Sequence, residues 1–475
     1  MLSRRRTLLV GVLATAVCGG AVAGVVLGFG GKRGRPSLAD LLRTQTVSGR
    51  PVAVGSGVSL RKISRDPYSN PESTHEGAVE PSIAANGRTT VVAYQVARAG
   101  YAGAAAAIGF ATSRDRGASW SSGFLPALTI RSSPPGHFRW ASDPSVAYDA
   151  AHGTWLIASL AIGGDTPPTA ALVVSRSRDG ISWQPPKRLV TAARLPLFDK
   201  PWIACDDWPA SRFRGTCYYA YTDDLVGRIA VLRSADGGAT WSGPVGSGRG
   251  LSAHDEPLGA MPAITPDGVV RVFYVSGTRV LVTTSTDGGA DFSASVRIAS
   301  FRAPRPVPLR APLLPTAAVD GSGTTYLVWV ECSRDPACTS RDVVMARLPA
   351  RGGHWTTPRR IVRPGRDVAA LLPALAADGA NVVLVYYEFA SAGRTLAPKL
   401  ALSHDGGTTW TTGRALSSRA MKLTSLAGVG RPPVPFVGDY VGVTLDGARA
   451  TAAVTIALPP RGRRYRQGIY MAELD

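Results

Sequence analysis

The chain has 475 residues, 45% of them hydrophobic, which excludes intrinsic disorder and a polytopic membrane protein. Its 53 glycines and 36 prolines, without a collagen period, imply dense turns and, with ten tryptophans, an all-β chain. The net charge is +20, but eleven Lys and Arg against two acids crowd into residues 1–66, and the +11 left is mostly arginine scattered along the chain. No basic run interleaved with aromatics appears, so nucleic acid is excluded as a partner. An arginine-biased composition accounts for the charge, with acidic glycans, teichoic-type polymers or lipid headgroups as the alternative.

Arg4, Arg5 and Arg6 precede an apolar stretch reaching to about Gly31, the arrangement of an export signal, and Arg5-Arg6-Thr7-Leu8-Leu9 fits a loose twin-arginine pattern. Ala21-Val22-Ala23 offers a cleavage site, while Val25, Val26, Leu27 and Phe29 prolong the apolar run enough to span a bilayer. Residues 1–31 are therefore read as an export signal or a single membrane anchor, and the protein as extracytoplasmic, secreted or held on the outer side of the membrane. Residues 32–56 are read as a loose linker, and 57–475 as one domain. Four cysteines fall in two close pairs, Cys205 with Cys217 and Cys332 with Cys338, without zinc-ligand spacing. Two local disulfides are expected.

Internal repeats decide the architecture. SRDRGASW (Ser113 to Trp120), SRDGISW (Ser177 to Trp183), SADGGATW (Ser234 to Trp241), STDGGADF (Ser285 to Phe292) and SHDGGTTW (Ser403 to Trp410) share the pattern S-x-D-x-G-x-x-W/F, the second with one residue fewer. Their aspartates are 64, 57, 51 and 118 residues apart, and LPARGGHW (Leu348 to Trp355) marks a degenerate copy in the long gap. Asp115, Asp179, Asp236, Asp287 and Asp405 read as turn-forming residues, not catalytic ones. Upstream of each copy lies an x-P-x opening and an alternating apolar strand. These openings are Glu80-Pro81, Asp143-Pro144, Lys200-Pro201, Met261-Pro262, Leu314-Pro315 and Leu372-Pro373. A last copy, from Gly438, has only three strands, and GVSLRKIS (Gly57 to Ser64) is expected to supply the fourth.

The pattern resembles the Asp-box, or bacterial neuraminidase repeat, of the sialidase superfamily, over nearly the whole exported part of the chain. The resemblance implies a β-propeller of four-stranded blades in which each box joins the third and fourth strands. Seven blades are counted, with the six of family sialidases as the alternative, and the ring is closed by N- and C-terminal strands in one blade. First strands line the axis of a propeller, so the openings place Glu80, Asp143, Asp199, Lys200, Asp439 and Tyr440 around one funnel. Asp255 and Glu256 lie just upstream of another opening. Trp140, Trp202 and Trp208 stand near enough to stack on a sugar.

The family's chemistry implies an arginine triad on a substrate carboxylate, a tyrosine nucleophile polarised by a glutamate, and an aspartate acid/base. Here Asp143 or Glu80 is the expected acid/base and Tyr440 the nucleophile, with Asp439 or Glu256 raising its basicity. Arg139 and Arg310 would hold the acidic group, Arg366 being a third candidate. Asp199, Lys200 and Trp202 would complete the substrate site. The family's R-I-P signature has only a faint echo in Arg61-Lys62-Ile63, so the triad is not placed. The expected function is an exo-acting glycoside hydrolase on acidic sugars. The alternative is a non-catalytic cell-surface propeller that binds glycan or protein. No cofactor is required, with calcium on the acids as the alternative, and a monomer is expected.

Overall fold

Alternating and fully apolar runs such as Thr89–Ala99 and Thr154–Ile162 become strands buried on both faces. The computed structural model describes residues 37–474 except 56–57, 100–102, 165–168, 193–197, 225, 248–255, 334–335 and 351. The export segment 1–31 and Asp255 therefore lie outside the described residues. The fold is nearly all-β and propeller-like: beside short helical turns at Leu38–Leu42 and Leu423–Ser425, the regular elements are strands.

The strands run as successive antiparallel meanders. The first comprises Val79–Asn86, Thr89–Ala99, Ala105–Ser113 and Ser121–Phe124; the second, Trp140–Asp149, Thr154–Ile162, Ala170–Ser177 and Lys187–Ala192. The third is Phe198–Cys205, Cys217–Asp223, Arg228–Ser234 and Ser242–Ser247, and the fourth Pro257–Ile264, Val270–Ser276, Arg279–Ser285 and Val296–Ser300. The fifth is Thr316–Val319, Thr325–Cys332, Arg341–Leu348 and Arg359–Val362, and the sixth Val368–Asp378, Asn381–Ala390, Thr395–Ser403 and Arg414–Ala415. In the last, Gly442–Asp446, Arg449–Ala457 and Gln467–Leu474 are followed outward by Val58–Lys62, the N-terminal strand expected there. The core lies between neighbouring sheets. Tyr218 and Val231 of the third, for instance, share a cluster with Tyr274 and Phe292 of the fourth.

The repeated S-x-D-x-G-x-x-W/F segments join third strands to fourth strands, and their hydrogen bonds explain each residue. The serine hydroxyl donates to the aspartate at 2.7–2.9 Å in all five copies. It also accepts the N–H of the glycine before the aromatic. The tryptophan indole N–H then donates to that glycine's carbonyl at 3.1 Å in the four tryptophan copies. Gly289 has φ +78° and a Cβ there would meet the Tyr218 ring of the preceding meander at 2.7 Å. Glycine is thus required by both the turn and the approach of neighbouring sheets. The aromatic reaches back in the same way: Trp183 packs on Phe110, and Trp355 of the degenerate copy on Phe273, each pair at 5.8 Å.

Two expectations need correction or completion. Residues 38–55 are not a loose linker. Gln45–Thr46 extends the first meander beside Ser121 and Ser122, Val52–Gly55 pairs with Val58–Lys62, and Arg65 donates to the Leu41 and Arg43 carbonyls. These segments cover sheet edges that would otherwise stay open. Both disulfides, Cys205–Cys217 and Cys332–Cys338, are present as expected.

The turn aspartates set an acid limit on stability. Burial pushes Asp179 up, but the Ser182 and Ile181 amides and the Ser177 and Ser182 hydroxyls outweigh it and bring it down to about 2. Asp236 is likewise brought to about 2, burial being outweighed by the hydroxyl and amide of Thr240 and by Ser234. Folded values below the unfolded one contribute stability above pH ~4 that is lost as pH falls toward 2. The thermal midpoint should therefore drop between pH 4 and 2. Asp179→Asn should lower the midpoint at neutral pH and make that acid drop shallower; an unchanged acid limb would refute the assignment.

Candidate functional site

In five of the meanders the first strand opens with a bulge that turns one residue out of the ladder. The pairing register breaks at Val79/Ser82, Asp199/Trp202 and Leu371/Ala374, and in the second meander opposite Ser142 and Ser145. At these breaks Glu80, Asp143, Lys200 and Leu372 take φ of +56°, +50°, +48° and +51°. Proline follows each one and has no N–H to give the ladder. A left-handed residue that is not glycine costs on the order of 1–3 kcal/mol and persists only where its surroundings demand it. In the fourth meander the break lies between Leu258 and Met261, with Gly259 at φ +83°. Gly259-Ala260, not Met261-Pro262, is therefore the equivalent opening, because glycine takes this conformation without strain.

The bulged side chains meet in a buried ion cluster. Lys200 Nζ stands 2.7 Å from Asp439, 3.2 Å from Asp143 and 3.3 Å from Asp199. Arg310 donates from Nε and Nη2 to the two Asp439 oxygens, with Nε at 2.8 Å. The Asp439 amide donates to Glu80 at 3.2 Å, and Gln95 donates to the other Glu80 oxygen and to Ser142. Tyr440 donates its phenol proton to the Pro144 carbonyl at 2.9 Å and lies edge-on to Trp202, 5.1 Å between centroids. Phe436 carries two guanidiniums, Arg98 at 4.3 Å and Arg310 at 5.4 Å.

Burial and charge set the protonation of the cluster. Burial alone would raise Asp439, but the Lys200 charge and the Arg310 hydrogen bond and charge bring it down to about 2. Lys200 is held protonated because Asp143, Asp439 and Asp199 outweigh its desolvation. Glu80 rises well above the carboxylate range through burial and then the charges of Asp143 and Asp439. Asp143 rises through burial, against the pull of Lys200. Tyr440 rises well above the usual phenol value through burial and then the surrounding carboxylates. Burial lowers Arg98 to about 10 against the attraction of Glu80 and Asp439, and its guanidinium nitrogens have no hydrogen-bond partner among the described residues.

Beside the cluster is a cavity of about 160 Å³, with Lys200, Trp202, Asp439 and Tyr440 on one side and Met261, Leu314, Pro315 and Leu372 on the other. Among the described residues no group of three or more His, Cys, Asp or Glu is placed to hold a metal ion. The Lys200 ammonium stands among the carboxylates that the calcium alternative would use.

The structure brings together Glu80, Asp143, Asp199, Lys200, Trp202, Arg310, Asp439 and Tyr440. Other candidates sit elsewhere. Arg139 pairs with Glu72 at 3.6 Å, and Arg366 is an exposed partner of Asp367 at 3.9 Å. Glu256 is exposed and adds only to the burial that raises Asp224, while the acids acting on Tyr440 are Glu80, Asp143, Asp439 and Asp199. Trp140 is buried under Arg131, and Trp208 lies beyond the far end of its strand, donating to Ile264. Arg61 and Lys62 sit on the outer strand Val58–Lys62. Gln95 and Arg98 were not singled out by sequence, since Gln95 lies within and Arg98 one residue before the end of Thr89–Ala99, with no proline to mark them.

No protein-family model matches the chain, and no curated protein matches it. Among solved structures it is similar to a polysaccharide lyase of a new family, an ulvan lyase, at 12% identity. That match covers 84% of this chain and 94% of the other with a TM-score of 0.51, a likeness of fold. A protein of unknown function from Dyadobacter fermentans aligns at 16% identity over 70% of this chain and 94% of its own, TM-score 0.44. A Hadza microbial sialidase aligns at 18% identity over 66% and 63%, TM-score 0.44.

Removing one partner of a buried ion group leaves the others uncompensated, at a cost of about 3–5 kcal/mol. Lys200→Met should lose about that much in urea unfolding at pH 7. Without the ammonium, Asp143, already raised by burial, rises further above its unfolded value, so the deficit should shrink as pH falls from 7 toward 4. A loss below about 1 kcal/mol would show that the cluster is not what holds these strands.

Proposed function

We propose that the chain is an exported, sialidase-like propeller of seven blades whose axial opening binds a glycan without hydrolysing it. Seven blades and a closed ring are supported by the packing of first strands. Each lies against the first strand of the next meander, and Gly442–Asp446 lies against Val79–Asn86. Val58–Lys62 joining Gln467–Leu474 would then be the closure. Asp-box identity is supported by the recurrent serine–aspartate–glycine–tryptophan bonding between third and fourth strands. Two disulfides fit an oxidising compartment outside the cytoplasm.

The glycan reading draws on an aromatic edge, Trp202 with Tyr440, standing beside Lys200 and Asp439 in one cavity. An apolar ring with a few fixed polar groups is how proteins hold a pyranose. One observation carries binding over hydrolysis: the cluster's functional groups are committed to one another. A tyrosine nucleophile must approach the anomeric carbon and lose its proton, whereas the Tyr440 phenol is buried, raised and bonded to Pro144. Asp143 and Asp439 are likewise engaged by Lys200.

The second reading, an exo-acting hydrolase on acidic sugars, is favoured by the raised carboxyls of Glu80 and Asp143. A carboxyl raised by burial is shifted in the direction a general acid requires. Release of a fluorophore from a sialic-acid glycoside separates the two readings. Binding of acidic oligosaccharide that weakens roughly 10-fold or more in Trp202→Ala, with no release, is the expected result. Turnover abolished in both Tyr440→Phe and Asp143→Asn would establish the hydrolase instead.

A further inference from the structure

The loop between Arg449–Ala457 and Gln467–Leu474 carries Arg461, Arg463, Arg464 and Arg466 within six residues. It is an ordered hairpin: Arg461 and Arg464 exchange both backbone hydrogen bonds, at 3.0 and 3.1 Å, and Leu458 donates to the Arg466 carbonyl at 3.0 Å. That exchange sets Arg461 and Arg464 directly opposite each other, where like charges repel. None of the four arginines has an ion-pair partner among the described residues, and the first three are exposed. Repulsion of this kind in a rigid hairpin is relieved by an anion laid across both guanidiniums.

The surroundings are shaped for one. Arg461, Arg464 and Arg466 line a groove of about 350 Å³ with Lys62, Tyr465 and Tyr470, against the single carboxylate of Glu76. Lys62 and Glu76 are paired at 3.3 Å, so the arginines set the sign of the groove. Ala457 pairs with Gln467 at the same end of the sheet as Gly442, and Gly77 bridges to Gln467. The groove therefore opens on the face that carries Asp439, Tyr440 and Glu80.

We propose that this arginine hairpin is a second glycan site, one that grips the carboxylates or sulfate esters of a polyanionic polysaccharide. The proposal rests on the glycan reading of the axial opening and extends it from one sugar to a chain. Two tyrosines flanking the groove offer ring faces to pyranose units, and guanidinium forks pair bidentately with oxyanions. Leu458 at the base of the hairpin lines the groove and is 38% exposed, but the tip, Gly462-Arg463, holds no apolar side chain to enter a bilayer, which favours a polysaccharide over a lipid surface.

The test measures binding of the protein to polygalacturonate and to dextran sulfate, with neutral dextran beside them, at low and at physiological salt. The variant is Arg461→Gln/Arg463→Gln/Arg464→Gln. The expected result is retention of an anionic polymer but not dextran, weakened roughly 10-fold or more in the variant and with a shallower salt dependence. Tighter binding of polygalacturonate assigns carboxylates, and of dextran sulfate assigns sulfate esters. The variant's thermal midpoint should be unchanged or higher, since it loses only repulsion. Unchanged polymer binding by the variant, or equal binding of neutral dextran, overturns the hairpin site. Preference for phosphatidylglycerol vesicles over both polymers overturns it in favour of a membrane surface. Trp202→Ala, measured in parallel on acidic oligosaccharide, reports on the axial reading independently.

Discussion

A lysine ammonium buried among carboxylates constrains everything else at the strand openings. Taking Lys200 out of water costs several kcal/mol unless anions replace the lost hydration. Those anions come from separate parts of the chain: Asp199 beside it, Asp143 one meander earlier and Asp439 from the last meander. Asp439 in turn engages Arg310, and its amide bonds Glu80, 359 residues away in sequence. The ends of the chain are thereby linked at one point. The left-handed Glu80, Asp143 and Lys200 are part of the local cost of that convergence, since their bulges turn these side chains off the sheet and into the cluster.

The periphery is joined by a different and repeating bond. Arg176, Arg233 and Arg347, each one residue before the end of a third strand, donate to the carbonyls of Gly237, Gly288 and Gly406 in the following meander. Arg114 does the same to the Asp179 carbonyl. Part of the scattered arginine excess is thus interlocking between sheets rather than a surface for partners. Guanidinium suits the task because it carries several donors on a rigid fork and stays charged when partly buried. Against that background the Arg461–Arg466 hairpin stands apart, because none of its guanidiniums has an ion-pair partner among the described residues and Arg466 reaches only the Pro459 carbonyl of its own loop.

Legibility followed the range of the interactions. The Ser, Asp, Gly and aromatic residue of each turn lie within eight residues of one another, so their pattern survives in sequence and recurs. The N-terminal strand was legible because an unmatched three-strand copy demanded a fourth. The fourth opening was misplaced because proline was taken as the marker, whereas the bulge needs a left-handed residue and Gly259 supplies it. Tyr440 was legible as a member of the cluster but not its condition, since its partner, the Pro144 carbonyl, lies 296 residues away. Arg98 had no signature at all; only packing on Phe436 brings it beside Arg310.

The sequence by itself therefore determined the all-β class, the repeating turn, both disulfides and which residue types gather at the openings. Each depends on contacts between residues close in the chain or on a pattern repeated along it. Tertiary structure alone decided which charges neutralise which, that Arg139, Arg366 and Glu256 stand apart from the cluster, and that the phenol of Tyr440 is held protonated. Those outcomes depend on burial and on partners hundreds of residues distant, and neither is written in any local stretch of the chain.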